Sequence, residues 1–124
     1  MKIKKKILLI EDEEGITLPL KIKLEKEGFK LIIAGDGEAG LAALRSEKPD
    51  LVLLDIILPK MSGFEILEQI KKENGAIKTP IVIISNLARE CEIERGLSLG
   101  ARDFIVKANL SLDNLVEKIS KFLV

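Results

Sequence analysis

The chain has 124 residues, 47% of them hydrophobic and 32% charged, a composition typical of one globular domain. Its 20 basic residues balance its 20 acidic residues, so no net charge attracts it to nucleic acid or to an anionic membrane. Histidine is absent, which excludes Ser/His and Cys/His catalytic pairs and histidine metal ligands.

Five short apolar runs alternate with longer amphipathic stretches. We predict strands at residues 6–10, 29–34, 51–55, 81–85 and 104–106. Three of these runs are near-continuous Ile, Leu and Val, as expected of parallel strands that helices cover on both faces. The alternation of strands and helices predicts one parallel sheet with right-handed crossovers, in a three-layer α/β sandwich.

The first helix has the weakest pattern. Apolar and charged residues alternate through it as in a half-buried strand, and Pro19 costs about 3 kcal/mol inside a helix. However, Ile16, Leu20 and Leu24 lie on one helical face. If Thr17 is the N-cap, Pro19 falls in the first turn, where its missing N–H matters little. We therefore predict a helix from about residue 17 to residue 27.

Helix ends elsewhere carry clear signals. Ser62 and Glu65 have the spacing of a capping box, and Ser111 can cap the last helix. Gly28 and Gly100 lie where helices are expected to end.

Polar residues collect at the carboxyl ends of the predicted strands, where ligands bind in an open parallel sheet. Glu11 and Asp12 follow the first strand, Asp55 ends the third, Ser85 ends the fourth, and the fifth leads to Lys107.

These residue types suit phosphoryl transfer. Crowded carboxylates repel one another unless a cation intervenes, and Mg²⁺ prefers a few carboxylates, waters and a phosphate oxygen. A lysine and a serine hydroxyl can stabilise the charge on a phosphoryl group. The acid placed between the metal and the lysine, Asp55 by position, is the natural nucleophile and would form an acyl phosphate.

Five segments resemble the receiver domain of two-component response regulators, the fold of the chemotaxis regulator. They are ILLIEDE (7–13), PDLVLLD (49–55), LPKMSG (58–63), IIS (83–85) and GARDFIVK (100–107). The resemblance implies a flavodoxin-like doubly wound sheet of strand order 2-1-3-4-5 with five helices. It also implies that residues 1–124 form a single receiver domain, and we expect no output domain.

The resemblance assigns a role to each matching residue. Asp55 is implied as the phospho-acceptor and a metal ligand. The other implied ligands of Mg²⁺, or of Mn²⁺, are Asp12 directly, Glu11 through water, and the backbone carbonyl of Ile57. The residues implied to bind the phosphoryl group or to change conformation on phosphorylation are Ser85, Asn86, Lys107 and Phe104. In the family, the serine hydroxyl moves toward the phosphoryl group, and the aromatic ring, here that of Phe104, turns into the space that it leaves.

Two positions depart from the family pattern. Asn86 replaces the usual small residue, and Ala108 replaces a proline that usually follows the lysine in a cis peptide. A cis bond before a non-proline residue costs about 2.5–4 kcal/mol, so we predict a trans bond. The resemblance also implies that Ile57 and Leu87 flank the site at positions that influence self-dephosphorylation in the family. Both are apolar and orient water poorly, which predicts slow spontaneous loss of phosphate.

The implied partners are a sensor histidine kinase or phosphotransfer protein, and a downstream protein that contacts the surface of helix 4, strand 5 and helix 5. We expect no direct contact with nucleic acid or membrane, a monomer or weak phosphorylation-dependent dimer, and no enzymatic activity beyond self-phosphorylation and dephosphorylation. The single cysteine, Cys91, favours a cytoplasmic location. Two alternatives stay open: an interaction module that is never phosphorylated, and a phosphohydrolase, for which the sequence offers neither a second acid beside the nucleophile nor a cap.

Overall fold

A computed structural model describes residues 4–73, 75, 77–109 and 111–123, in which strands and helices alternate. The strands are Lys6–Ile10 (β1), Lys30–Ala34 (β2), Leu51–Leu54 (β3), Ile81–Ser85 (β4) and Asp103–Val106 (β5). The helices are Glu14–Lys26 (α1), Gly37–Glu47 (α2), Gly63–Lys72 (α3), Glu90–Ser98 (α4) and Leu112–Lys121 (α5). A short 3₁₀ turn, Lys107–Asn109, follows β5.

The five strands form one parallel sheet in the order β2-β1-β3-β4-β5. Ile10, the last residue of β1, pairs with Ala34 on one side and with Leu54 on the other. The strands β1 and β3 therefore end at the same level, so the residues that follow them emerge side by side. The predicted fold class and strand order are confirmed.

Helices cover both faces of the sheet, and the alternation of side chains along β1 shows how. Leu8 and Ile10 pack into a cluster with residues of α2 and α3, whereas Ile7 and Leu9 pack with residues of α1 and α5. All four side chains are fully buried. Burying a side chain of this size contributes roughly 1.5–3 kcal/mol, so the central strands are fixed firmly in place.

The helix signals read from the sequence are confirmed. Ser62 Oγ accepts a hydrogen bond from the Glu65 N–H (3.2 Å) and the Glu65 side chain accepts one from the Ser62 N–H (3.5 Å), which completes the capping box. Ser111 caps α5, and Gly28 and Gly100 have φ values of 92° and 107°, which suit glycine after a helix. Strand boundaries differ by one residue from the prediction at Phe29, Asp55 and Asp103.

The predicted start of the first helix is wrong. Helix α1 begins at Glu14, three residues before the predicted Thr17, and Thr17 is buried inside it. Pro19 therefore lies in the second turn and leaves the Gly15 carbonyl without its helical hydrogen bond. Both residues are exposed, so water can bond this carbonyl, and the acidic Glu14 favours the helix N-terminus.

Within the described ranges, no helix combines the length and the apolar character that crossing a bilayer requires.

Candidate functional site

The central strands bring three carboxylates together. The backbone ladder continues one residue beyond β1 and β3, because the Glu11 N–H donates to the Ala34 carbonyl and the Asp55 N–H donates to the Ile10 carbonyl, both at 3.0 Å. One carboxylate oxygen from each of Glu11, Asp12 and Asp55 lies within 4.8 Å of the others. The structure thus places side by side the three acids that the sequence selected as metal ligands.

Glu11 is the most deeply buried of these acids, with 1% of its surface exposed. Its Oε1 accepts hydrogen bonds from the N–H groups of Asp12 (3.2 Å) and Glu13 (3.3 Å). Its buried Oε2 makes an ion pair with Lys107 but accepts no well-aligned hydrogen bond from any described residue. Burial, together with the negative charge of Asp55, raises the pKa of Glu11 to about 7 despite the opposing effect of Lys107.

Asp55 lies directly after β3 and is 5% exposed. Its Oδ1 accepts a hydrogen bond from the Ile56 N–H (2.7 Å), and its Oδ2 lies 2.9 Å from Lys107 Nζ. The start of α3 packs against this segment at Gly63, where a Cβ atom would lie 2.4 Å from the Asp55 carbonyl oxygen. A glycine is therefore needed at this position to let the helix approach the Asp55 backbone so closely.

Lys107 supplies the positive charge of the site. Only 9% of its side chain is exposed, and Nζ contacts the carboxylates of Asp55 and Glu11, with Glu13 Oε1 at 3.9 Å. Burial alone would lower the pKa of Lys107, but its contacts with the two buried carboxylates outweigh burial and raise it. The ammonium group therefore stays charged at neutral pH.

Residues after β4 complete the site. Ser85 is 1% exposed, and its Oγ accepts a hydrogen bond from the Leu87 N–H (3.1 Å). The Asn86 Oδ1 accepts a hydrogen bond from the Ala108 N–H (2.9 Å). No cis peptide bond occurs among the described residues, so the Lys107–Ala108 bond is trans, as predicted.

A surface pocket gathers most of the predicted site residues. Its lining consists of Asp12, Glu13, Asp55, Ile57, Ser85, Asn86, Leu87 and Lys107. Phe104 lies outside this lining. It is a half-buried residue of β5 that pairs with Ile83 of β4, and its ring packs toward α4 near Gly96. The Ile57 side chain is 64% exposed, and the proposed use of its carbonyl as a metal ligand stays a prediction.

Two residues contribute to the site beyond the roles that the sequence analysis gave them. Glu13 approaches Lys107 at the pocket, and Gly63 allows α3 to approach Asp55. Glu13 belongs to the acidic run after β1, but the sequence alone gave it no role at the pocket. A glycine immediately after the N-cap Ser62 could have indicated the second, since this position otherwise favours residues of higher helix propensity.

The cluster has the properties of a divalent cation site. When ionised, its three carboxylates carry two more negative charges than Lys107 neutralises. The buried Glu11 Oε2 lacks a well-aligned donor among the described residues, and burial together with the charge of Asp55 raises the pKa of Glu11, a cost that a bound cation would offset. Carboxylate oxygens are the ligands that hard cations such as Mg²⁺ prefer, so the residues present fit such an ion.

Comparison with known proteins agrees with this chemistry. A family model described as response regulator receiver domain matches residues 7–120. The alkaline phosphatase synthesis transcriptional regulatory protein PhoP of Bacillus subtilis is 40% identical over 103 residues, which cover 83% of this chain and 42% of that protein. The chain therefore spans less than half the length of this curated relative.

Solved structures of similar chains share the whole fold. The receiver domain of the Francisella response regulator 1452 is 28% identical, with a TM-score of 0.86 and 96% of each chain covered. A chain of the CheX–CheY–BeF₃–Mg²⁺ complex from Borrelia burgdorferi is 29% identical, with a TM-score of 0.86, 98% of this chain and 91% of that one covered. As its five motif segments predicted, the chain belongs to the response regulator receiver domain family.

Proposed function

We propose that this receiver domain accepts a phosphoryl group on Asp55 from the phosphohistidine of a sensor kinase or a phosphotransfer protein. Receiver domains interact with such partners and with downstream targets. The observation that carries the proposal is the position of Asp55, whose carboxylate is clustered with Glu11 and Asp12 and lies 2.9 Å from the Lys107 ammonium. A carboxylate held between acids and a lysine is placed to act as a nucleophile.

Mg²⁺, or Mn²⁺ in its place, is the cation that we propose for the acidic cluster. Its ligands would be Glu11, Asp12, Asp55 and the carbonyl of Ile57. When bound, the ion would neutralise the charge that develops on the transferred phosphoryl group. The similar chain of the Borrelia burgdorferi complex was solved with BeF₃ and Mg²⁺, which supports this choice.

In the transfer step, a carboxylate oxygen of Asp55 forms a bond to phosphorus while the bond between phosphorus and the donor imidazole nitrogen breaks. The electron pair of the broken bond stays on that nitrogen, and the product is an acyl phosphate. Lys107 then pairs with phosphoryl oxygens. The Ser85 hydroxyl already accepts a hydrogen bond from the Leu87 N–H, so its own proton can be donated to the phosphoryl group.

The phosphorylated state would be recognised by a downstream protein that contacts the surface of α4, β5 and α5. Phe104 lies half-buried between the sheet and α4, where a change of rotamer would alter this surface. We propose no enzymatic activity beyond the domain's own phosphorylation and dephosphorylation, no direct contact with nucleic acid or membrane, and a monomer or weak phosphorylation-dependent dimer. A single cysteine cannot form a disulfide within the chain, and disulfides are rare in the cytoplasm, so the cysteine content supports a cytoplasmic location.

Incubation with Mg²⁺ and acetyl phosphate tests the proposal. Intact-mass measurement should show the gain of one phosphoryl group, and chelation of the metal should abolish it. Asp55→Asn should remove the modification, whereas Asp113→Asn, which changes an exposed acid on α5, should leave it unchanged. If the wild-type chain is not phosphorylated at any concentration of acetyl phosphate and does not bind beryllofluoride, an interaction module that works without phosphorylation is favoured instead.

A further inference from the structure

We propose that Asn86 is a positioning residue for Lys107, and that it acts by holding the backbone N–H of Ala108. This inference rests on the proposed function and extends it by giving a role to the two positions that depart from the family pattern. The two residues meet in one contact, the 2.9 Å hydrogen bond from the Ala108 N–H to Asn86 Oδ1.

The contact forms where the sheet ends. Ser85 and Val106 are paired as the last residues of β4 and β5, so Asn86 and Lys107 leave the two strands at the same level. Lys107 then begins a 3₁₀ turn and its backbone is no longer part of the ladder. The Asn86 side chain therefore ties this turn to the neighbouring strand at the point where the sheet ceases to do so.

The backbone around Asn86 is held in a turn. Ser85 on its N-terminal side is buried, and the Ser85 Oγ accepts a hydrogen bond from the Leu87 N–H on its C-terminal side. This local bond forms a compact turn around Asn86. The turn defines the backbone from which the exposed Asn86 amide extends toward Ala108.

The position of the turn matters because Lys107 must reach across the pocket. Its Nζ lies 2.9 Å from Asp55 Oδ2, and its flexible four-carbon stem loses entropy when it is held in one geometry. A turn whose backbone is held by a hydrogen bond restricts the conformations of Lys107 and favours those in which the ammonium reaches the pocket. Loss of this hydrogen bond should weaken the interaction of Lys107 with the phosphoryl donor, while Asp55 remains in place.

Asn86 and Ala108 supply complementary groups, a side-chain acceptor and a backbone donor. A proline after Lys107 would have no N–H to donate, and a small apolar residue in place of Asn86 would have no side-chain acceptor. Alanine with asparagine supplies both halves of the bond. The hydrogen bond is exposed, so a competing view is that it stabilises the surface slightly and has no influence on Lys107.

A double-mutant cycle between Asn86→Ala and Lys107→Met separates these views. The four proteins are phosphorylated with acetyl phosphate and Mg²⁺ under single-turnover conditions, and two quantities are measured separately: the rate constant at saturating donor (kcat) and the donor concentration at half of that rate (KM). In the wild-type background, Asn86→Ala should raise KM about threefold to tenfold with a smaller change in kcat. In the Lys107→Met background, the same substitution should change KM by less than about 1.5-fold, because the group that Asn86 positions is gone.

Two further variants check the contact itself. Ala108→Gly keeps the N–H that Asn86 accepts and should preserve most of the wild-type KM. Asn114→Ala is the matched control, since Asn114 is exposed on α5, and it should leave KM unchanged. An Asn86→Ala effect of equal size with and without Lys107, or no effect at all, overturns the proposal.

The same cycle measured by urea unfolding keeps this inference separate from the proposed function. Asn86→Ala should raise the equilibrium constant for unfolding by a factor about threefold larger in the wild-type background than in the Lys107→Met background. If the wild-type chain takes no phosphate but this coupling is present, the proposed function fails and the positioning role holds. If phosphorylation occurs and coupling is absent from both measurements, the positioning role is wrong and the proposed function stands.

Discussion

The pocket is built from two halves that the fold holds in different ways. The acidic half follows the central strands β1 and β3 and consists of Glu11, Asp12 and Asp55. The cationic half follows β4 and the edge strand β5 and consists of Ser85, Asn86 and Lys107. In the acidic half, backbone N–H groups hold the buried carboxylates. In the cationic half, the Ser85 hydroxyl bonds only the nearby Leu87 N–H, whereas the side chains of Asn86 and Lys107 reach other segments, at Ala108 and Asp55. The sheet therefore preforms the acidic half, and rearrangement on phosphorylation should concentrate in the cationic half.

The largest effect should come from removing the charge that joins the halves. Lys107→Met leaves the buried carboxylates of Glu11 and Asp55 without their cation, and breaking a buried ion pair in this way costs about 3–5 kcal/mol. We expect the free energy of unfolding of the metal-free protein to fall by about this amount at pH 8. Urea unfolding measures the change, and added Mg²⁺ should reverse part of it.

Lys60→Met is the matched control for this loss. Lys60 pairs with Asp36 at 3.8 Å, but its side chain is 60% exposed, and such pairs contribute about 0–1 kcal/mol. Equal losses in Lys60→Met and Lys107→Met would show that the buried cluster does not depend on its lysine. The two halves would then be independent of each other.

The next effect concerns proton binding by the acidic half. In the folded protein the pKa of Glu11 is about 7, above its ordinary value of 4.5, so the folded state binds this proton more tightly than the unfolded state. The resulting stabilisation is fully present below about pH 4.5 and is lost as the pH rises through about 7. Its size is on the order of 3 kcal/mol, and Glu11→Gln should remove this pH dependence.

Unfolding free energies of the wild-type and Glu11→Gln proteins, measured from pH 4.5 to 8 without metal, give the difference directly. Glu13→Gln makes the same chemical change at an exposed site and should leave the wild-type slope in place. Mg²⁺ should flatten the wild-type slope, since it favours the ionised carboxylate. Identical slopes in wild type and Glu11→Gln would count against the raised pKa.

A smaller effect should follow from Ser85 in the cationic half. Ser85→Ala removes the buried acceptor of the Leu87 N–H, which should cost about 0.5–1.5 kcal/mol of stability. If the hydroxyl also donates to the phosphoryl group, beryllofluoride should bind about tenfold more weakly, a loss of about 1.4 kcal/mol. Ser98→Ala removes an exposed hydroxyl and serves as the control. Unchanged beryllofluoride affinity in Ser85→Ala would remove this residue from the phosphate site.

The sequence predicted the acidic half more fully than the cationic half, for a physical reason. Near-continuous apolar runs such as residues 51–54 are typical of buried parallel strands, and the residues that follow such strands share one edge of the sheet. The partner of Asn86 lies 22 residues away in an exposed turn, and no local pattern encodes that contact. The start of α1 was also mispredicted, because the cost of Pro19 depends on whether the Gly15 carbonyl is exposed to water.

The smallest effect should appear at the rim between the halves, where Ile57 and Leu87 line the pocket. The Ile57 side chain is 64% exposed and offers no hydrogen bond to a water that attacks the phosphoryl group, so the phosphorylated wild-type protein should persist for minutes or longer. Ile57→Asn supplies an amide that can orient this water and should shorten the lifetime about fivefold, equivalent to ~1 kcal/mol of barrier. Intact mass followed after removal of the donor measures the decay.

Ile22→Asn makes the same substitution on α1 at a similarly exposed site and should have no effect, because no phosphoryl group lies near it. A wild-type lifetime of seconds, or equal lifetimes in wild type and Ile57→Asn, would show that water is oriented by the acidic half itself.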